Sequence, residues 1–153
     1  MIERVEFNGN VLAIILRNGP MERGIQFFTP ADYSQQLGCM RHPAGHVIEP
    51  HIHNRTPRAV HYTNETLFLR RGRLRVDFYS ETGAYLESRE LGAGDIILLV
   101  AGGHGFEVLE EIEMIEVKQG PFVGDTDKTR FTGITAAEAR LAKPGGGPTE
   151  QVQ

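Results

Sequence analysis

Short apolar runs, rich in β-branched and aromatic residues, recur along most of the chain and are separated by turn residues. Asn8 and Gly9 lie between the first two runs, and this pair favours a tight hairpin because both residues tolerate positive φ. No helical segment separates consecutive runs, so the crossovers that a parallel sheet needs are lacking. The pattern predicts an all-β fold of antiparallel strands, a sandwich or small barrel. The predicted strands are RVEF, VLAIILR, GIQFFT, GCMRH, HVIEPHIH, ETLFLRR, RLRVDFYS, YLESREL, DIILLVA, GFEVLE and IEMIEVKQG, with turns at RRGR, SETG and LGAGD.

The carboxy-terminal sequence changes character after the last predicted strand. Thr135 and Glu138 have the T-x-x-E spacing of a capping box, which predicts a short helix over residues 135–143. Residues 144–153 contain three consecutive glycines, two prolines and little apolar surface, so we expect a disordered tail. The strands before the helix are assigned to one domain, residues 1–134, because 153 residues with 40% apolar content suit a single core.

Composition and charge exclude several classes of partner. The net charge of −4 offers no general attraction for nucleic acid, and no apolar run approaches the roughly 20 residues of a membrane-spanning helix. The single cysteine, Cys39, has no partner for an internal disulfide, and the amino terminus lacks the pattern of a secretion signal. We therefore expect a cytoplasmic protein. Open barrels commonly protect exposed strand edges by pairing with a second copy, so a homodimer is also expected.

Four of the six histidines lie between Gly45 and Gly72, and two of these are one residue apart at His51 and His53. On an extended strand such neighbours point to the same face, about 7 Å apart. A divalent transition metal binds imidazole nitrogen and can draw two such rings together. This spacing therefore predicts two metal ligands.

Further ligands must come from other strands. Glu65 begins the predicted strand ETLFLRR and shares a face with Leu67 and Leu69, so its carboxylate faces the interior if those leucines form the core. His104 lies among glycines that let the backbone turn tightly. His61 lies four residues before Glu65 and could replace or supplement that carboxylate. The resulting candidate set is three histidines and one carboxylate.

The residues from Gly45 to Gly72 resemble the first motif of the cupins, G(X)5HXH(X)3–4E(X)6G. Gly45, His51 and His53 match its beginning, whereas Glu65 and Gly72 match its end, although eleven residues separate His53 from Glu65. An insertion of this length fits a loop, because the cost of loop closure grows slowly with length. The second motif, G(X)5PXG(X)2H(X)3N, is matched less fully. This chain has one residue fewer than the motif between Gly94 and His104. It has Val100 where the motif has proline, and it lacks the final asparagine.

The resemblance implies a single-domain cupin barrel, or jelly roll, that holds one divalent ion of iron, manganese, nickel, copper or zinc through His51, His53, Glu65 and His104. It also implies an oxygenase or isomerase that acts on a small polar organic molecule. Glu116 and His61 are the candidates for proton transfer. Glu116 also shares a strand face with Lys118, either as a polar pair near the metal or as an exposed ion pair.

Two other functions remain open. One is metal-independent isomerisation or epimerisation of a sugar nucleotide, with one of these histidines as general base. The other is a non-catalytic module that binds a small ligand.

Overall fold

The computed structural model describes residues 1–143, which form a mostly antiparallel β structure with 45% strand and 5% helix. The predicted all-β class is therefore confirmed. The strands are β1 (Ile2–Phe7), β2 (Asn10–Leu16), β3 (Gly24–Phe27), β4 (Gly38–Arg41), β5 (Glu65–Tyr79), β6 (Tyr85–Gly92), β7 (Ile96–Leu99) and β8 (Gly103–Lys118). The chain divides into two compact units. Among the described residues, the sheet unit comprises residues 1–18 and 62–143, and the hairpin unit comprises Gly19–His61.

The sheet unit contains one curled, half-barrel sheet of six strands in the order β1-β2-β7-β5-β6, with β8 along the other edge of β5. The predicted hairpin joins β1 to β2, and both of its turn residues have positive φ, 51° at Asn8 and 77° at Gly9. Strand β5 has two neighbours on one edge, because β7 pairs with its first residues and β6 with its last. β5 therefore pairs with three other strands, β6, β7 and β8, and lies at the centre of the sheet unit.

The β5–β8 ribbon is longer than the sequence pattern predicted. The predicted turn RRGR is wrong, because β5 continues through Gly72, and the two strands predicted after residue 103 are one strand. Pairing shifts register between Leu69 and Leu74, and such bulges bend a ribbon. Gly72 has φ of 84°, and a Cβ there would collide with the Glu111 carbonyl of β8. A residue without a side chain is therefore needed where the ribbon bends.

The core lies on the inner face of the curled sheet. Leu67, Leu69, Leu74, Val76 and Phe78 of β5 are all buried and pack with apolar residues of four other strands. The alternation along β5 thus decides which of its polar residues also face inward. By this alternation Glu65 faces inward, as the sequence predicted.

The hairpin unit contains a second sheet of two strands, β3 and β4, in which Ile25 lies opposite Met40. Cys39 is a buried free thiol, in agreement with the absence of a disulfide partner. Residues 42–61 contain no strand, so the predicted strand HVIEPHIH is wrong. Pro43, Pro50 and Pro57 interrupt this segment, and proline cannot donate the backbone hydrogen bond that a strand ladder needs.

The predicted helix over residues 135–143 is absent. The Thr135 N–H and hydroxyl both donate to the Glu138 carboxylate, at 2.8 and 2.7 Å, so the capped start forms as expected. Only a 3-10 turn of three residues follows, because the next residues run beside β6 instead. The Ser88 N–H donates to the Arg140 carbonyl and the Ala142 N–H donates to the Ser88 carbonyl, which uses the backbone groups that a helix would need.

Residues 144–153, the predicted disordered tail, lie outside the described residues. Among residues 1–143 no helix has the length and apolar character to cross a bilayer.

Candidate functional site

Glu65 begins β5 and lies directly opposite Lys118, near the end of β8. Asn64, just before it, is buried, and its side-chain amide donates to the Val100 carbonyl at 2.9 Å. The Gln119 N–H donates to the Asn64 carbonyl at 2.8 Å. The start of β5 is thus fixed on both sides, which holds the Glu65 carboxylate at the inner face.

His104 lies at the opposite end of the same ribbon, where it pairs with Phe78. A straight strand would place residues 65 and 78 about 40 Å apart. Because the ribbon curls, the His104 Nε2 atom instead lies 3.1 Å from the Glu65 Oε2 atom. Their side chains are 29% and 13% exposed, respectively, so solvent and small molecules can reach the imidazole. The structure brings together two of the four predicted ligands.

Lys118 completes this cluster. Its ammonium group lies 3.2 Å from the Glu65 Oε1 atom and 2.8 Å from the Asp127 Oδ2 atom. The Thr63 hydroxyl donates to the other oxygen of Asp127 at 2.8 Å. Each oxygen of Glu65 therefore has its own partner, Lys118 on one side and His104 on the other.

Hydrogen bonding sets the charge state of the cluster. The hydrogen bond from His104 lowers the pKa of Glu65, and Lys118 lowers this pKa further. The Lys118 ammonium lowers the pKa of Asp127, while Asp127 and then Glu65 raise the pKa of Lys118. At neutral pH the cluster thus contains two carboxylates and one ammonium group beside an imidazole. Within residues 1–143 the His104 Nδ1 atom has no hydrogen-bond partner, so it is available to a ligand.

His51 and His53 lie in the hairpin unit, in the segment without strand structure. Both side chains are exposed, and their ring centroids are 5.1 Å apart with the planes nearly perpendicular. The His51 Nδ1 atom lies 3.0 Å from the Glu49 carbonyl, which leaves Nε2 free. Metal-binding histidines usually donate their second ring N–H to such an oxygen.

The predicted catalytic residues do not join these pairs. His61 is exposed and ends the hairpin unit. Glu116 lies opposite Leu67 on β8, but its side chain is exposed. Neither of the two alternatives for Glu116 and Lys118, a polar pair near the metal or an exposed ion pair, is seen, since Lys118 binds Glu65 and Asp127 instead.

The other two histidines, His42 and His46, stack on each other with centroids 4.0 Å apart. In the described part of the chain, neither unit contains three histidine, cysteine, aspartate or glutamate side chains placed to share a metal ion. Each unit instead provides one pair of the predicted set.

The sequence reasoning missed Asp127 and Thr63. Asp127 lies in a 3-10 turn, Gly124–Asp127, beyond the last strand, and no periodic pattern connects it to Glu65. Lys118 could have been found, because its parity along β8 places it on the inner face, as Glu65 is on β5.

Comparisons with protein-family models, with curated proteins and with solved structures found no match. The resemblance to cupins therefore remains an interpretation of the motif residues.

Proposed function

We propose that the protein is a cupin-type jelly roll that binds one divalent transition-metal ion and uses it on a small polar organic molecule. Its ligands in this proposal are His51, His53, Glu65 and His104. The observation that carries the proposal is the contact between Glu65 and His104, which are 39 residues apart in sequence. Both are predicted from the sequence, Glu65 by its strand face, His104 by its glycine-rich turn, and both by the motif positions.

The sheet unit brings together two donors of the kinds such an ion takes, and no third is placed with them among residues 1–143. An ionised carboxylate and an accessible imidazole are ligands for iron, manganese, nickel, copper and zinc, so donor type does not select among these metals. The Glu65 oxygen that faces His104 is not bound to Lys118. In the hairpin unit, the Glu49 carbonyl orients the His51 ring and leaves one nitrogen free.

When bound, the ion would supply a Lewis acid or a site for oxygen chemistry. The chain itself supplies charge and orientation. Glu65 provides a fixed negative charge, and Lys118 keeps one of its oxygens occupied. Glu116 and His61 remain the proposed proton carriers, and both side chains are exposed.

A second candidate function needs no metal. A carboxylate that accepts a hydrogen bond from an imidazole is the arrangement that orients a general base, and here the partners are Glu65 and His104. The Lys118 contact satisfies the other carboxylate oxygen, so the cluster is complete without an ion. In this case His104 would abstract a proton from a sugar nucleotide through its free Nδ1 atom.

Metal content separates the two candidates. Protein purified without a metal-affinity step is analysed by inductively coupled plasma mass spectrometry. We expect close to one transition-metal ion per chain, lost in Glu65→Gln and in His104→Ala. The matched controls are Glu113→Gln, an exposed carboxylate on the same ribbon, and His46→Ala, a histidine outside the ligand set.

A metal-free wild-type protein would contradict the first proposal. If a nucleoside-diphosphate sugar then raised the melting temperature of the wild-type protein but not of His104→Ala, the second candidate would be favoured. Metal retained at full occupancy in both ligand variants would place the ion elsewhere on the chain.

The predicted homodimer also remains a proposal. Among residues 1–143 the long strand β8 pairs only with β5, and Ile115 and Val117 on β8 are about half exposed. An unpaired strand edge can be covered by another chain, although the glutamates along β8 disfavour such pairing. Light scattering during size-exclusion chromatography would give the molar mass, and a monomer would contradict the proposal.

A further inference from the structure

Phe106 and Val108 form an apolar patch on β8, next to His104. We infer that this apolar patch binds the ring of a small uncharged aromatic molecule that carries a hydrogen-bond donor, such as a phenol, and that His104 accepts the hydrogen bond. The inference deepens the proposed function by naming a class of substrate. It rests on that proposal only for the choice of Glu65 and His104 as the site, and it needs no metal ion.

The apolar patch lies on the inner face of the β5–β8 ribbon. Phe106 is directly opposite Val76 of β5, and side chains opposite one another in an antiparallel pair share a face. Val108 is likewise opposite Leu74. Both partners on β5 are fully buried in the core, whereas Phe106 is 42% exposed and Val108 is 55% exposed. The inner face of β8 thus presents apolar surface to solvent at this point.

The apolar patch and the imidazole are close enough to contact one small molecule. The ring centroids of His104 and Phe106 are 5.3 Å apart, and the ring planes are tilted by 47°. Aromatic rings in contact have centroids roughly 4.5–7 Å apart. A ligand ring that packs against Phe106 therefore lies beside the imidazole, where a single substituent can reach a ring nitrogen.

Hydrogen bonding at His104 decides what that substituent must do. The ionised Glu65 carboxylate only accepts hydrogen bonds, so the proton between the two side chains is on His104 Nε2. In the neutral imidazole, Nδ1 is then an acceptor. Among residues 1–143 the one buried side-chain nitrogen or oxygen without a hydrogen-bond partner is His42 Nε2, so the unpartnered Nδ1 atom of His104 is open to solvent. It suits a ligand that donates a hydrogen bond.

The charges around His104 favour an uncharged ligand. The carboxylates of Glu65 and Asp127 outnumber the single ammonium group of Lys118, to which both are bound. A carboxylate or phosphate ligand would therefore meet net negative charge. A cationic ligand would find both carboxylates already paired. An uncharged aromatic donor meets neither difficulty, and its ring suits the apolar patch.

The test is titration of the full-length chain, purified without a metal-affinity step, into 2-naphthol. The naphthol fluorescence is excited apart from tyrosine, and the chain has no tryptophan. We expect saturable binding of 2-naphthol. Binding of 2-methoxynaphthalene, which lacks the donor, should be about 2- to 10-fold weaker, as for loss of one hydrogen bond. Binding of the anion 2-naphthoate should also be weaker.

Three variants assign the binding to the apolar patch and to His104. Phe106→Ala should weaken 2-naphthol binding by about tenfold, because it removes the aromatic contact, with little change in melting temperature. His104→Phe keeps a ring but removes the acceptor, so it should bind 2-naphthol and 2-methoxynaphthalene equally. Ile115→Ala changes a half-exposed residue that is opposite Phe68 on the outer face, and it should match the wild type.

No saturable binding of 2-naphthol by the wild-type chain would overturn the inference, while the metal content of the same preparation would still test the proposed function. Equal wild-type affinities for 2-naphthol and 2-methoxynaphthalene would also overturn it, because His104 would then accept no hydrogen bond. Equal losses in Phe106→Ala and Ile115→Ala, or tighter binding of 2-naphthoate, would have the same consequence. Specific binding of 2-naphthol by a metal-free chain would support the inference even though the proposed metal site had failed.

Discussion

Two of the clusters of charged side chains in the sheet unit differ in how exposed their members are to solvent. The first joins Arg17 and Arg89 to Glu3, and it extends to Glu87 and Asp95. The second is the cluster of Glu65, His104 and Lys118. The Arg89 side chain is 2% exposed, whereas that of His104 is 29% exposed. Arg89 and Glu3 are thus shielded from solvent, whereas solvent reaches His104.

The first cluster joins strands that are far apart in sequence. Arg17 binds both oxygens of Glu3, at 2.8 and 3.1 Å, and it also reaches Asp95 at 2.8 Å. Arg89 binds Glu87 at 2.8 Å and donates to the Lys143 carbonyl at 3.1 Å. Buried charges need such complete pairing because the desolvation cost is high. This cluster therefore serves the fold.

The second cluster leaves one group without a partner in the described residues, the His104 Nδ1 atom. An accessible imidazole beside an ionised carboxylate costs little in stability and can accept a ligand. The comparison contrasts a cluster in which the buried charges are paired with one that contains an accessible imidazole. Variants of the first cluster should then lower the stability of the fold, and variants of the second should mainly change ligand binding.

The largest expected effect is on stability, from Arg89→Met. This change removes a buried guanidinium that binds Glu3 and Glu87, and breaking a buried ion pair typically costs about 3–5 kcal/mol. Urea denaturation gives the free energy of unfolding. The matched control is Arg73→Met, whose exposed pairs with Glu90 and Glu110 are screened by solvent and should contribute little to stability. Equal losses in the two variants would show that burial does not decide how much an arginine ion pair stabilises this fold.

The next effect concerns the bend that joins the ends of the ribbon. Gly72→Ala introduces a side chain at positive φ, where a Cβ would also collide with the Glu111 carbonyl. We expect a loss of about 1–3 kcal/mol in unfolding free energy and weaker metal binding. Gly9→Ala, with positive φ but no atom within 4 Å of the added Cβ, measures the backbone strain alone. If the two variants behave alike, close approach of β5 and β8 does not matter.

The smallest effect is the pH dependence of stability that Glu65 contributes. Because His104 lowers the pKa of Glu65 in the folded chain, the ionised carboxylate stabilises the fold above the ordinary glutamate pKa of about 4.3. That stabilisation is lost as pH falls through the lower pKa of the folded state. The stability difference between wild type and Glu65→Gln should therefore be constant near neutral pH and should shrink in acid.

We expect this difference to stay below about 1 kcal/mol, as for other partly exposed pairs. Denaturant melts at several pH values measure it. Glu116→Gln is the control for loss of one charge from the same face of the ribbon. A difference that grew in acid would contradict the direction of the Glu65 shift.

The sequence predicted those parts of the fold that depend on local pattern. The Asn8-Gly9 hairpin and the inward face of Glu65 follow from turn chemistry and from alternation along a strand. The bend at Gly72 was interpreted as a turn, because glycine at positive φ occurs both in turns and in bulged strands. Glycine is needed at this position because β8 passes close to the backbone of Gly72, and a local sequence pattern carries no information about β8.

Some residues of the candidate site were also predicted from the sequence, and others were not. Motif spacing selected Glu65 and His104, whose contact then depends on the curl of the whole ribbon. Histidine spacing selected His51 and His53, but the prolines around them prevent the predicted strand. Asp127 belongs to the cluster only through tertiary contacts with Lys118 and Thr63, so no sequence pattern could identify it.

The most direct test of a metal site at Glu65 and His104 is anomalous diffraction at transition-metal absorption edges, from crystals of protein that never met a metal-affinity resin. We predict an anomalous peak about 2.0–2.2 Å from a Glu65 oxygen and from a His104 ring nitrogen. The absence of a peak, with the Glu65–His104 hydrogen bond intact, would contradict the metal site.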